Sequence, residues 1–438
     1  VAAAARQPGL GSRDDHPDGI VSEPLTPREA VLRILAQVRR QPPLRVPLDE
    51  ALDAVLAEDA VSPVDIPAWT NSAMDGYAAR AEDVRGATEA APRHLRVLEE
   101  IPAGAFPTLP VTPGCCSRIF TGAPLPEGAD TVVRQEDTDL GAATVAILRD
   151  RDAGVNIRRA GEDIRRGTVA LPAGTELGPA ELGVLASMAV ATPMIFRRPR
   201  IGIMGSGDEI VDIDQPDEIV AGRKVASSNS HTLMALVRQA GAVPVNLGIA
   251  RDTPESVRQH LERAADCDLL VTTAGISVGE HDYLRDVLRD MGAELLFWKL
   301  RMRPGAPVGF GLLGEVPWIG LPGNPVSTMV TFELFVRPAI RVMAGRALPF
   351  RRTTSVRLET TVKAGPTLQH FLRSVVDREG PEPLPVQLTG PQGSGILTSM
   401  VKANALLIIP EGRPESPAGS LAEAIVLDDP RHQGEPPF

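Results

Sequence analysis

Aromatic residues make up only 3% of this chain, against 43% hydrophobic residues in all. Its cores must therefore rest on Leu, Val, Ile and Ala. Cysteine is scarcer still, with Cys115, Cys116 and Cys267 the whole complement. An odd count, two of them adjacent, argues against a disulfide framework and favours a reducing cytoplasm; zinc-ligand spacing is absent. No uninterrupted apolar run reaches the roughly 18 residues that a membrane span needs. Residues Val1 to Ser22 hold no apolar stretch fit for a signal peptide and read as a mobile tail. An excess of positive charge is also missing. The formal net charge of −11 argues against nucleic acid as a partner. It leaves room for an anionic small molecule, because local charge outweighs the sum. Basic residues do cluster, at Arg158-Arg159, Arg165-Arg166, Arg197-Arg198 with Arg200, and Lys299 with Arg301 and Arg303. Any one cluster is as easily solvated surface.

What is present is Gly (40) and Pro (41) in a chain of 438 residues, which predicts tight turns, short strands and two to four domains. Thr26-Pro27-Arg28-Glu29 is a capping box with Pro at the first helical position. Val31, Leu32, Leu35 and Val38 give the helix behind it an apolar face, and a second helix is expected over Glu50 to Glu58. From Pro63 to about Asn156, short runs such as Leu95–Leu98, Thr131–Arg134 and Thr144–Leu148 alternate with turns, reading as a small all-β domain. A helix is expected at Pro179–Ala189. After Arg200 strands and helices alternate: strands at Ile201–Met204, Val243–Leu247, Leu269–Thr273, Leu295–Trp298 and Pro317–Leu321, and helices at Ser230–Gln239, Pro254–Ala265, His281–Met291 and Val326–Met343. That alternation implies a parallel sheet with helices on both faces. Arg351 to Leu427 reads as a separate β domain, and Asp428–Phe438 as a disordered tail.

Ligands of such a sheet bind beyond the carboxyl ends of its strands. The loops there are Gly205-Ser206-Gly207-Asp208-Glu209, Ala274 to Asp282 (with Ser277 and Gly279), and Leu321-Pro322-Gly323-Asn324-Pro325-Val326-Ser327. Glycines let backbone N–H groups approach an anion, and helix N-termini add positive potential. Neither the Walker A nor the dinucleotide fingerprint is present, so those classes are disfavoured. Asp208, Glu209, Asp252 and Asp282 stand in or beside these loops. Carboxylates next to a phosphate site commonly hold Mg²⁺, although helix capping accounts for each of them singly. No Cys/His or Ser/His pair suggests a protein nucleophile.

Asn71-Ser72-Ala73-Met74-Asp75-Gly76-Tyr77-Ala78 resembles the signature of the MoeA/gephyrin E-domain family. So do Thr121-Gly122-Ala123-Pro124-Leu125-Pro126-Glu127-Gly128-Ala129-Asp130, Asn156-Ile157-Arg158-Arg159 with Gly161-Glu162-Asp163, Gly207-Asp208-Glu209, Ser277-Val278-Gly279 with Asp282, and Pro322 to Ser327. The motifs follow the family's order from about Thr26 to Pro410. The resemblance implies an elongated multidomain α/β-plus-β chain. Residues 25–64 and 156–195 would form a discontinuous hinge and dimerisation domain, 65–155 an inserted β domain, 196–345 a MogA-like three-layer α/β domain that binds molybdopterin, and 346–427 a C-terminal β domain, with tails at 1–24 and 428–438. It implies a homodimer with the site between subunits, insertion of molybdate into adenylyl-molybdopterin with release of AMP, and Mg²⁺ as cofactor. Molybdopterin adenylyltransferase and molybdoenzyme apoproteins or their chaperones would be partners. Asp75, Thr121, Arg158, Asp163, Lys299 and Arg303 would be catalytic. Gly207, Asp208, Ser277, Gly279, Pro322, Gly323, Asn324, Ser327, Arg373 and Ser394 would hold the pterin ligand, and Glu209, Asp252 and Asp282 the metal.

Three positions depart from the family pattern. Pro304-Gly305-Ala306-Pro307 stands where Pro-Gly-Lys-Pro is usual, so Arg301 or Arg303 would have to supply the missing cation. Ala274-Gly275-Ile276-Ser277 replaces Gly-Gly-Val-Ser, which requires at Ala274 a backbone angle open to a Cβ. Gly205-Ser206-Gly207 replaces Ser-Thr-Gly and keeps a hydroxyl. A catalytically weakened paralogue, a cofactor-binding scaffold and a molybdopterin adenylyltransferase are the rival readings.

Overall fold

Residues 23–275 and 283–427 of the computed structural model are described below. The expected tails at Val1–Ser22 and Asp428–Phe438, and the candidate residues Ser277, Gly279 and Asp282, lie outside them. The chain divides into two units, Arg45–Ile195 and the remainder, which joins Val1–Leu44 to Phe196–Phe438.

The larger unit begins with the helix Pro27–Gln37. The Thr26 hydroxyl accepts from Glu29 N at 3.2 Å, and the Glu29 carboxylate accepts from Thr26 N at 2.8 Å. This reciprocal cap contributes about 1 kcal/mol. Burial follows Pro27, Ala30, Val31 and Ile34, a stripe spaced at three and four residues. Leu32, expected on that face, points to solvent, and Ile34 takes its place, because one residue of helix turns the side chain about 100°. The stripe packs into one core with Phe332, Phe335, Ala339 and Met343.

The α/β sheet has six strands, in the order Val243–Ala250, Arg200–Ser206, Leu269–Thr273, Val316–Leu321, Gly309–Leu313 and Glu294–Phe297. The first four are parallel. Gly309–Leu313 runs antiparallel to both its neighbours, so the expected all-parallel sheet is in fact mixed. A hairpin inserts a strand whose glycines read as loop. The expected helices appear at Ser228–Gln239, Pro254–Glu262 and Tyr283–Asp290. The long one is continuous over Pro325–Met343, with a π-helical turn at Phe332–Val336.

The last part of the larger unit is a small barrel. Gln369–Val376 pairs with Leu384–Leu388 on one side and with Ala405–Ile409 on the other. The circuit closes through Thr353–Leu358 and Leu421–Val426.

The smaller unit holds a five-stranded sheet in which Gly76–Ala79 lies between Thr131–Arg134 and Cys115–Ile119. Arg93–Ile101 and Thr144–Ile147 complete it. The helix expected over Glu50 to Glu58 is absent. A single 3-10 turn, Leu48–Glu50, is followed by Asp53 at φ 61°. Val55 and Leu56 then bridge to Glu176 and Ile195. Backbone partners on both sides outweigh a helical spacing of Ala51, Ala54 and Val55. No helix among the described residues is long and apolar enough to cross a membrane.

Candidate functional site

At the carboxyl edge of the parallel strands lies a cleft of about 500 Å³. Ser206 and Glu209, then Ala274 and Gly275, then Pro322, Gly323 and Asn324 line it, so the three loops meet here through their described residues. Two helix N-termini open on it. Ser227, Ser228 and Asn229 start one, and Asn324-Pro325 the other. The first N–H groups of the Ser228 helix and the dipoles of both helices make the cleft a place for anionic oxygen.

The loops are fixed by their own polar groups. Asn229 Nδ2 donates to Gly323 O at 2.7 Å. Thr328 Oγ1 donates to Pro322 O at 2.6 Å, which holds the turn onto the helix. Asp208 and Asp252 exchange bonds, each backbone N–H donating to the other's carboxylate at 3.3 and 3.4 Å. Lys224 Nζ donates to Asp208 O at 2.7 Å. Gly207, at φ 133°, allows the backbone to turn where a Cβ would strike the Glu209 carboxylate. Sequence reasoning missed Lys224 and Asn229. For Asn229 the signal was available, because Ser227-Ser228-Asn229 is a polar run just ahead of the apolar helix, an N-terminal signature.

Ala274 has φ 65°, the left-handed region, contrary to the open angle expected there. A Cβ in that conformation costs about 1–2 kcal/mol. Ala274→Gly removes this strain at the expense of some unfolded-state entropy. It should raise stability by about 0.5–1 kcal/mol, whereas Ala274→Val should lower it. Urea melts of the two variants check the sign.

Ser327 is buried in the first turn behind this loop. Val326 N donates to Ser394 O at 3.1 Å, which ties the barrel's Pro391–Ser394 loop to the cleft wall. Arg373 was expected to touch the ligand. It borders the cleft that Arg303 lines and is fully buried there, with Nε donating to Ser399 Oγ at 3.0 Å, Nη1 to Gln392 O at 3.2 Å, and Nη2 to Pro391 O at 3.3 Å and Gly393 O at 2.9 Å. Its fork is consumed by the loop that carries Ser394.

Lys299 and Arg303 are exposed on either side of Arg301. Arg301 Nε is 3.1 Å from the Glu411 carboxylate, so Arg303 is the freer replacement for a cation at Ala306. Arg303 lines a second cleft of about 520 Å³ with Lys363 and His370. Burial holds the His370 pKa below its usual value, and its Nε2 lies 3.1 Å from the Gly365 N–H as an acceptor.

The other expected catalytic residues are in the smaller unit, where backbone bonds weave their motifs together. Asn71 pairs with Arg158 across a two-stranded ribbon. Ser72 N donates to Ala123 O, Gly122 N to Ser72 O, and Ala73 N to Asn156 O. The Asp75 carboxylate accepts from Thr121 N at 2.8 Å and from Thr121 Oγ1 at 2.7 Å. Those two bonds, the backbone one first, hold the Asp75 pKa below its usual value. Arg158 and Asp163 are exposed, Asp163 being anchored by its N–H to Ile66 O.

Burial pushes the Cys116 thiol up to about 12, which removes it as a nucleophile. Among the described residues no three His, Cys, Asp or Glu side chains converge on one point. Glu209 lines the cleft, and Asp252 stands in the neighbouring loop; carboxylates are hard-oxygen donors of the kind Mg²⁺ takes.

Glycine-bearing loops and two helix N-termini meet at one edge of an α/β sheet, an arrangement suited to an anionic ligand. The comparisons make this specific. Residues 25–189 match the MoeA N-terminal region (domain I and II), 202–342 a probable molybdopterin binding domain, and 355–427 the MoeA C-terminal region (domain IV). The chain is 38% identical to molybdopterin molybdenumtransferase 2 of Mycobacterium tuberculosis over 89% of its own length and 96% of that relative's. It is 35% identical to a molybdopterin molybdenumtransferase of Nostoc sp., over 86% of each chain. The crystal structure of a moeA protein from Pyrococcus horikoshii superposes with a TM-score of 0.76 at 30% identity, covering 92% of this chain and all of that one. The chain belongs to the MoeA family.

Proposed function

We propose that this chain is a molybdopterin molybdenumtransferase, which inserts molybdate into adenylyl-molybdopterin and releases AMP. The observation that carries this reading is the cleft of about 500 Å³ where strand-end loops and two helix N-termini converge. Relatives bearing that activity's name match over most of their length. In this reading the Gly323 and Asn324 backbone, with Ser277 and Gly279, holds the phosphate side of the pterin. Glu209, Asp252 and Asp282 would hold Mg²⁺, which when bound supplies positive charge beside the pyrophosphate. Lys299, and Arg303 from the second cleft, would neutralise molybdate and the charge growing on AMP. The chain's work is positioning, since molybdate exchanges oxo ligands for the two dithiolene sulfurs without a protein nucleophile. A homodimer would bring the partner chain's Asp75, Thr121, Arg158 and Asp163 surface to this cleft.

Molybdate-dependent AMP release by the purified chain is the deciding measurement, and its absence from folded protein defeats the reading. Adenylylation of molybdopterin with ATP would favour the adenylyltransferase rival instead. Ala306 favours a weakened variant of the same activity. Its neighbour Pro307 lines the cleft, so a lysine at 306 would return a cation to the rim. Ala306→Lys should lower the KM for molybdate about tenfold, the worth of one charge-assisted contact.

A further inference from the structure

Trp69 and Phe106 are large aromatic side chains left in solvent on the smaller unit, 39% and 63% exposed. Their rings meet edge to face, with centroids 5.2 Å apart and planes at 64°. By contrast, Trp298 and Trp318 pack against each other in a hydrophobic core.

Trp69 is held, not loose. Its Nε1 donates to Gly122 O at 3.2 Å, and its carbonyl accepts from Asn71 Nδ2 at 3.1 Å. Gly122 follows Thr121, the partner of Asp75, and Asn71 faces Arg158 across the ribbon. The indole is thus pinned between the motifs expected to meet substrate. Its polar edge is already satisfied, so what it offers a partner is its face. Thr121, next to Gly122, and Arg158, opposite Asn71, are exposed, as is Arg159. A ring-sized apolar surface on a loop whose partner strand carries two exposed arginines matches a planar heterocycle that carries phosphate.

We propose that Trp69 and Phe106 form a stacking platform for the heteroaromatic ring of the substrate, adenine or pterin. This rests on the proposed function above. It adds to it a group that recognises the ring rather than the phosphate.

The test uses the full chain. AMP should quench tryptophan emission in the wild type, and the quench should vanish in Trp69→Phe. Ribose 5-phosphate, which lacks a ring, should not quench. Quenching by pterin-6-carboxylate and not by AMP would assign the ring as pterin. In steady-state assays Trp69→Ala and Phe106→Ala should each raise the KM for adenylyl-molybdopterin about tenfold. The loss should sit in KM rather than kcat, with Trp69→Phe recovering most of it. Unchanged KM in both alanine variants overturns the platform and leaves the activity standing. So does a change of oligomeric state in those variants with no change in KM, which would make the patch a contact between copies. Should the wild type release no AMP, the activity reading fails, and quenching by AMP or the pterin alone then decides the platform.

Discussion

Asp75→Asn should lower molybdate-dependent AMP release at least about a hundredfold, the size of effect expected when one preorganised electrostatic group is lost from a site. The substitution keeps shape and leaves an amide oxygen to accept from Thr121, so the fold should survive and circular dichroism should be unchanged. What is lost is charge. The Thr121 N–H and hydroxyl hold the Asp75 pKa below its ordinary 3.8, so the carboxylate is ionised throughout the neutral range. The sign follows from linkage. A depressed carboxylate pKa contributes stability that is present above the unfolded value and is lost as pH falls through the folded one. Asp75 therefore adds no acid limb to the rate profile above about pH 4. Thr121→Val should cost less, because its backbone N–H remains. If the proposed two-chain site is right, Asp75→Asn and Asp282→Ala are each inactive alone, yet a mixture that exchanges subunits regains activity, since a heterodimer keeps one intact site. No recovery on mixing, with exchange shown by mass, would place both residues in one chain's site.

Much of the architecture is legible in the sequence because its signals are local. The Thr26–Glu29 box marks a helix start within four residues. Ile201–Met204 and Leu269–Val271 are continuous apolar runs, as strands buried on both faces must be. Gly309–Leu313 was invisible because its glycines say turn, and only its hairpin partner Val316–Leu321 makes it a strand. The misread stretch after Glu50 has helical spacing, but its partners are over a hundred residues away in sequence, at Glu176 and Ile195. The site divides the same way. Glycine loops and the Asp75 and Thr121 motifs could be read directly. The hold of Lys224 on Asp208, and the meeting of Trp69 with Phe106, are properties of the folded chain alone. Arg373 was legible only as a charge, and a charge by itself says nothing about whether it faces ligand or protein.

That distinction has a measurable consequence at Arg373. Burial lowers its pKa, and carbonyl oxygens of Pro391, Gln392 and Gly393 take its Nη protons. Arg373→Ala would strand those carbonyls and open a cavity beneath Ser399. Together these should cost about 3–5 kcal/mol. Arg373→Lys should cost somewhat less, because its ammonium still donates to some of those carbonyls, although it cannot reproduce the planar fork. The damage should also reach the cleft. The same loop carries Ser394, whose carbonyl accepts from Val326 N in the first turn of the Pro325 helix. Loosening it frees the Pro322–Asn324 wall, so KM for the adenylyl substrate should rise together with the loss of stability. A ligand-contacting arginine would behave differently. Its replacement by Met would raise KM while leaving the unfolding midpoint in place, or would raise it, since an apolar side chain would then fill a costly polar site. Urea denaturation of Arg373→Ala, Arg373→Lys and Arg373→Met beside their KM values separates the two roles. An unchanged midpoint in all three would show that the guanidinium serves the ligand and not the loop.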